Sequence, residues 1–248
     1  GGGLPGRYPF SVPTTRARTS VDAFRQVLRD TYAGTPFDLS KQPAAGPFGI
    51  TDRFDAANGC KAPGGGEDGA FERPIATFRM AYSFIGEPAA APQHTLWFAP
   101  HVSQTSVYLP VLIAPLPPGE ADAVPSALRR GTMKRIDRDS AYWAFRIVKA
   151  TARGLFWNRC LQRIQDRQRR WEERFAAGGP GADLSSRAGC DALSRRVVAD
   201  WWKLHDELLL RFGDGWEHEW ATDGTNRCRP VAYPREWLAR NHFFRGGR

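Results

Sequence analysis

Long apolar runs are missing from this sequence: no stretch approaches the roughly 20 uninterrupted apolar residues that a membrane-spanning helix needs. The opening, Gly1 to Phe10, also lacks the charged-then-apolar pattern of a secretion signal, so no membrane partner is expected. Metal-ligand spacing is missing too. The four cysteines, Cys60, Cys160, Cys190 and Cys228, form no CxxC pair, and the five histidines, His94, His101, His205, His218 and His242, are scattered, which argues against zinc or another bound metal. His205, on the apolar side of a helical pattern, reads as a packed or surface residue. In Glu217-His218-Glu219 adjacent side chains would diverge on a helix. There is no Walker loop, no GxGxxG after a strand, no HExxH and no GxSxG, so no cofactor is expected. Cys60 and Cys228 both lie in Gly/Asn/Arg-rich loop sequence, which is compatible with a disulfide in an oxidising compartment and equally with isolated thiols. The compartment is left open.

What the chain does hold is core material. Its 248 residues are 42% hydrophobic and 25% charged, enough for one large core or two small ones. The net charge of +9 is localised: residues 126 to 170 carry thirteen basic and three acidic residues, and the remainder is near neutral. Such a segment suits a solvated helical face, nucleic acid or an acidic partner. The chain opens Gly-Gly-Gly rather than with Met and is read as a processed subunit or fragment, a single domain over 1–248 or the C-terminal half of a larger one.

Local patterns divide the chain. Thr19 with Asp22 three residues on is a capping-box pattern that leads into Phe24, Val27 and Leu28 and predicts a helix over 19–32. Residues 34–69, rich in Gly, Pro, Asp and Asn, read as a long loop, and loops of that length usually carry function. Ile75 to Ile85 alternates, with Ala76, Phe78, Met80, Tyr82 and Phe84 on one side and Thr77, Arg79 and Ser83 on the other, as a half-buried strand does. Runs at Thr95 to Ala99 and Ser106 to Ile113 complete a strand meander over 75–113, with Pro110 marking an edge or a bulge. Residues 139–212 read as helical: Asp139 or Ser140 caps one segment. Apolar stripes on either side of Gly154 are out of phase by two residues, which predicts a kink or two helices meeting there. A last helix stops at Gly213, and 213–248 form a C-terminal tail. Strands followed by long helices favour an α+β layer fold over a doubly wound sheet.

One stretch is more specific than any of these patterns. Arg29-Asp30-Thr31-Tyr32-Ala33-Gly34-Thr35-Pro36-Phe37-Asp38-Leu39-Ser40, then Ala44-Ala45-Gly46-Pro47-Phe48-Gly49 and Arg53, resembles the RD-x-YEGTPFDLT…AAGPFG…R signature of the dipeptidase A family, thiol-dependent N-terminal-nucleophile dipeptidases related to secernins. Later segments follow that family's order: Phe78-Arg79, Tyr82-Ser83-Phe84, Leu96-Trp97-Phe98, Ser106-Val107-Tyr108-Leu109-Pro110, Asp137-Arg138-Asp139-Ser140-Ala141, Trp143-Ala144-Phe145, Trp201-Trp202, Asp214-Gly215 and Tyr233-Pro234-Arg235-Glu236-Trp237-Leu238. The likeness spans Phe10 to Phe244.

The resemblance implies part of a four-layer αββα sandwich, antiparallel strands followed by long helices. It also implies hydrolysis of dipeptides by a cysteine at the mature N-terminus, whose own α-amino group is the base. This chain carries no such residue at its start, so it is expected to supply scaffold and part of the cleft, with the nucleophile on a missing N-terminal half and no catalytic residue of its own. Arg79, placed on the polar face of an apolar strand, is the first candidate to clamp a substrate carboxylate, although a salt bridge from strand to helix would explain it as well. Ser83, Arg53 and Asp38 follow, Asp38 with a loop-bracing alternative. Self-association into a homo-oligomer is left open. A second reading makes the chain a non-catalytic basic subunit that docks in an assembly or binds RNA through Arg146, Lys149, Arg153, Arg159, Arg163 and Arg167 with Trp143, Trp157 and Trp171. Core packing is the competing role for those tryptophans, and nucleic acid is the less expected partner.

Overall fold

A computed structural model describes residues 19–41, 43–54, 73–88, 94–115, 124–178 and 183–243. Within them the chain is mixed α+β, with two small antiparallel sheets and long helices. The first sheet is a meander of β1 (Tyr82–Glu87), β2 (His94–Pro100) and β3 (Leu109–Ile113) in the order β1-β2-β3. Pro110 sits opposite Trp97 on β3, which is at the edge of the described three-stranded sheet, where proline is tolerated. The second sheet is formed by β4 (Phe212–Gly213), β5 (Trp216–Trp220) and β6 (Asn226–Pro230). The 213–248 segment is therefore more than a tail, and it continues into helix α6 (Arg235–Arg240).

The remaining helices are α1 (Val21–Leu28), α2 (Ser126–Arg129), α3 (Ala141–Gly154), α4 (Trp157–Ala177) and α5 (Arg187–Arg211). The phase slip at Gly154 is two helices meeting: α3 ends there and α4 begins at Trp157, which lets each helix bury its own stripe. Ser20, rather than Thr19, caps α1, its hydroxyl accepting from the Ala23 amide at 3.2 Å. Ser140 holds the cap position of α3, but its side chain makes no capping bond.

Aromatic rings dominate the core. Trp157, Trp201, Tyr108 and Phe145 are almost fully buried. Trp201 meets Phe145 edge to face at 5.3 Å and donates its indole N–H to the Thr105 carbonyl at 3.2 Å, so the ring's one polar atom is satisfied. Trp143 and Trp171 are also buried. The faces that would stack on nucleic-acid bases are occupied by protein.

The strand expected over Ile75 to Ile85 is shorter and of opposite phase. Residues 75–81 lie outside any strand, with turns at 75–76 and 78–79, and in β1 the buried side chains are Ser83 and Ile85, whereas Tyr82 and Phe84 are each 57% exposed. Phe84 lies opposite Phe98 of β2, and Tyr82 stacks on Phe98 at 5.5 Å. The outward face of β1 and β2 is thus aromatic, while Trp97 and Ile85, on the other face, enter the core. No helix is long and apolar enough among the described residues to cross a membrane. Trp201→Ala should destabilise the fold by about 3–5 kcal/mol, measurable as a lower urea midpoint with an unchanged denaturant slope.

Candidate functional site

The loop after α1 is held by its own polar groups. Asp30 accepts the Tyr32 amide at 2.8 Å, an Asx turn that carries Tyr32 through a positive φ of 62°. Asp38 accepts from the amides of Gly34 at 3.1 Å and Ser40 at 2.9 Å and from the Ser40 hydroxyl at 2.6 Å. Burial opposes ionisation of Asp38, but these donors and the charge of Lys41 outweigh it and hold the carboxyl below its ordinary value. Arg53 closes the loop's far end, donating to the carbonyls of Ile50 at 2.8 Å, Asp52 at 3.0 Å and Leu39. Gly49 runs at φ +70°, and a Cβ there would meet the Ser40 carbonyl oxygen at 3.3 Å, so the return of the loop onto itself requires glycine.

Beneath the loop's end lies a buried ion pair. Lys149 of α3 donates to Asp52 at 2.9 Å, with Arg153 3.8 Å from the second carboxylate oxygen. Burial lowers the Lys149 pKa, and Asp52 opposes that. His101 follows β2 at a positive φ of 67° with its ring edge-on to Tyr142 at 5.6 Å. Burial, then the charges of Lys149 and Arg146, push its pKa down to about 3, so it is neutral at physiological pH.

The opposite side of the same loop lines a cavity of about 1010 Å³, at the upper end of small-ligand sites. Pro47, Phe48 and Gly49 of the AAGPFG segment line it, together with Thr31 and Ser40. The floor is Glu172 of α4, which takes both ends of the Arg29 guanidinium at 2.5 and 3.0 Å. The far terminus of the chain reaches the same place. Trp237 and Arg240 of α6 line the cavity, Arg240 donates to the Lys41 carbonyl at 3.1 Å, and Phe48 lies 5.9 Å from Tyr233. Helix α4 brings Arg169 and Glu173 to the lining, and α6 brings Glu236 and Arg240. Each helix thus offers an acid and a base four residues apart.

The residues singled out from the sequence fall elsewhere. Arg79 is exposed in a turn, its guanidinium 5.1 Å from the Phe78 ring, because the strand begins three residues later; it is neither buried nor on a strand face. Ser83 is buried and bonded to the Tyr108 hydroxyl at 2.8 Å. Arg53 and Asp38 brace the loop. None of the four lines the cavity, though two hold the loop that does. Glu172, Glu173, Arg169, Trp237 and Arg240 were missed. They sit on helices whose charged patterns look like any solvated face, and only the YPREWL and AAGPFG segments pointed toward them.

Among the described residues no group of three or more His, Cys, Asp or Glu could hold a metal. Burial pushes the Cys160 thiol up to about 12 and the Cys190 thiol up to about 11, which suppresses the nucleophilic thiolate. Cys228 is exposed on β6 with no disulfide, and Cys60 lies outside the described residues. Comparison with protein-family models, with curated proteins and with solved structures returns no match.

Two titrations test this arrangement. Asp38 has a depressed folded-state pKa, so its stabilisation is present above the unfolded value near 3.8 and lost as pH falls through the folded value. Asp38→Asn should cost about 1–3 kcal/mol at pH 7, and the gap to wild type in urea titrations should close only below pH 3.8. For His101 the unfolded chain takes up a proton near pH 6.5 and the folded chain near 3, so stability falls as pH drops through that window. His101→Gln should flatten that part of the stability profile.

Proposed function

We propose that this chain is the scaffold and part of the substrate cleft of a thiol-dependent dipeptidase of the dipeptidase A type. The observation that carries this reading is convergence: the RD-x-Y-x-GTPFDL…AAGPFG stretch and the YPREWL stretch, matched independently along the sequence, meet at one cavity through the Arg240–Lys41 hydrogen bond and the Phe48–Tyr233 ring contact. Other matched segments also pair: Trp202 donates to the Arg138 carbonyl at 2.7 Å and carries the Arg138 guanidinium 4.5 Å from its ring. Segments far apart in sequence are selected together when they build one site.

The chemistry of the cavity suits a dipeptide. A substrate with one free ammonium and one free carboxylate needs an anion and a cation near each other in a partly apolar cleft. Arg169 with Glu173 and Arg240 with Glu236 supply both signs, and Phe48 and Trp237 supply apolar surface. The reacting group is a different matter. The mechanism of this enzyme type needs a thiol and an α-amine on one residue, and buried Cys160 and Cys190 offer neither an accessible thiolate nor a free amine. A nucleophile brought by a preceding or separate segment fits the outward aromatic face of β1 and β2, where Tyr82, Phe84 and Phe98 provide what the second sheet of an αββα sandwich would cover.

The reading is tested by co-expressing this chain with a family N-terminal half that begins with Cys and assaying release of amino acids from alanyl-alanine. Hydrolysis should appear only in the joint preparation and vanish on thiol alkylation. Arg240→Ala should raise KM about tenfold or more, the loss of one charge-assisted contact. Strong thiol-dependent hydrolysis by this chain alone would overturn the assignment.

A further inference from the structure

A second concave site lies between α4 and α5, away from the loop. It is a groove of about 430 Å³ lined by Arg167, Arg170, Arg174, Arg196, Lys203 and Asp200, with Trp171 beneath. Asp200, the one acid in the lining, is already engaged: its two oxygens accept from Arg167 at 2.7 Å and from the Trp171 indole at 2.8 Å. Arg167 spends its other nitrogen on Glu207. Arg174 lies 5.3 Å from the Trp171 ring centre, which orients its guanidinium. Arg170 and Lys203 have no acidic partner among the described residues.

Several arginines elsewhere meet an acid. Arg29 and Arg25 meet Glu172, Arg159 meets Glu217, Arg153 meets Asp52 and Arg130 meets Asp137. The groove gathers five cations from two facing helices, rather than from one solvated stripe, around the single and already engaged carboxylate of Asp200. Converging like charges repel one another, and a compact polyanion relieves that repulsion.

We propose that the α4–α5 groove binds an oligophosphate chain, as carried by a nucleoside triphosphate or by inorganic polyphosphate. Arginine forks take phosphate oxygens two at a time and lysine adds a point charge, and the volume lies within the range of small-ligand sites. A nucleic-acid strand is the poorer occupant. Trp171 is 7% exposed and Trp157 and Trp143 are buried, so none of the tryptophans of the basic helices is open for base stacking. The site is independent of the dipeptidase reading.

Isothermal titration of the full chain with tripolyphosphate, ATP, orthophosphate and a ten-nucleotide oligouridine separates the outcomes. Tripolyphosphate should saturate at one per chain, bind at least about tenfold more tightly than orthophosphate, and weaken as salt is raised. ATP binding within about tenfold of tripolyphosphate assigns the phosphate chain as the ligand, and ATP binding more tightly than that assigns a nucleotide. The Arg174→Ala, Lys203→Ala double variant should lose at least about tenfold in affinity with an unchanged melting temperature. The Lys134→Ala, Arg135→Ala control, which removes the same charge from another exposed site, should bind as wild type. Equal losses in the two variants, no tripolyphosphate binding, or oligouridine binding more tightly than tripolyphosphate would overturn the proposal.

Discussion

Arg29 joins three parts of the chain at one point, and the placement of the cavity follows from it. Its guanidinium donates to the carbonyls of Ser103 at 3.1 Å and Ser106 at 2.9 Å and grips both oxygens of Glu172 on α4. The Ser103 hydroxyl returns a bond to the Leu28 carbonyl at the end of α1. The pair is largely buried, with side-chain exposures of 18% and 11%. Breaking such a pair leaves a desolvated charge behind, whereas keeping it fixes geometry more than it adds stability. Here the fixed geometry is the exit of the chain from α1: the loop beginning at Asp30 has to leave toward α4, and its two faces are thereby assigned, one to the cavity and one to the Asp52–Lys149 pair.

The loop repeats that economy on a smaller scale. A segment from Asp30 to Arg53 with little regular structure exposes many backbone amides and carbonyls, each of which needs a partner if buried. Asp30, Asp38 and Arg53 serve as those partners, and this explains why two of the candidate substrate ligands, Asp38 and Arg53, are buried facing their own backbone. A carboxylate fixed by three donors is a poor acceptor for a mobile ligand, while the same fixation makes the neighbouring Pro47-Phe48-Gly49 wall rigid. The carbonyl of Phe48 also accepts from the Asn158 amide at 3.1 Å, satisfying one of the orphan donors at the start of α4. Loop and helix therefore set each other's position.

How much of this was legible in the sequence divides along the range of the interactions. Periodicity reported the meander, a break at Gly154 that is either a kink or two helices meeting, and the stripe positions of Trp157, Trp171 and Trp201, because burial of a stripe is a local consequence of helix and strand geometry; the missing N–H of Pro110 pointed to an edge or a bulge. It failed at β1. Alternation from Ala76 to Phe84 is real, but which set faces inward depends on what lies on each side of the sheet. Ser83 goes inside because Tyr108 waits there with a hydroxyl, a contact between residues 25 apart. The charged cavity lining was illegible for the same reason. Arg169 and Glu173 have the spacing of any solvated helix, and only the approach of α6 from the far end of the chain gives them a shared role.

The basic segment shows how charge and fold are reconciled. A local excess of ten positive charges over residues 126 to 170 would oppose compaction if it were left unmatched. The structure answers with acids drawn from outside that segment: Asp52 for Lys149 and Arg153, Glu217 for Arg159, Asp200 and Glu207 for Arg167. These pairs tie α3 and α4 to the loop, the second sheet and α5, so the charge imbalance along the sequence is used as a set of tertiary connections. Lys149 shows the cost of that use, since burial lowers its pKa even with Asp52 beside it. The same burial, with the neighbouring cations of Lys149 and Arg146, keeps His101 uncharged. A protonated imidazole there would add a further cation beside Lys149 and Arg146, and the αL backbone of His101 leaves the ring fixed against Tyr142. Several cations of α3 and α4 are thus met by acids brought from a distance in the sequence.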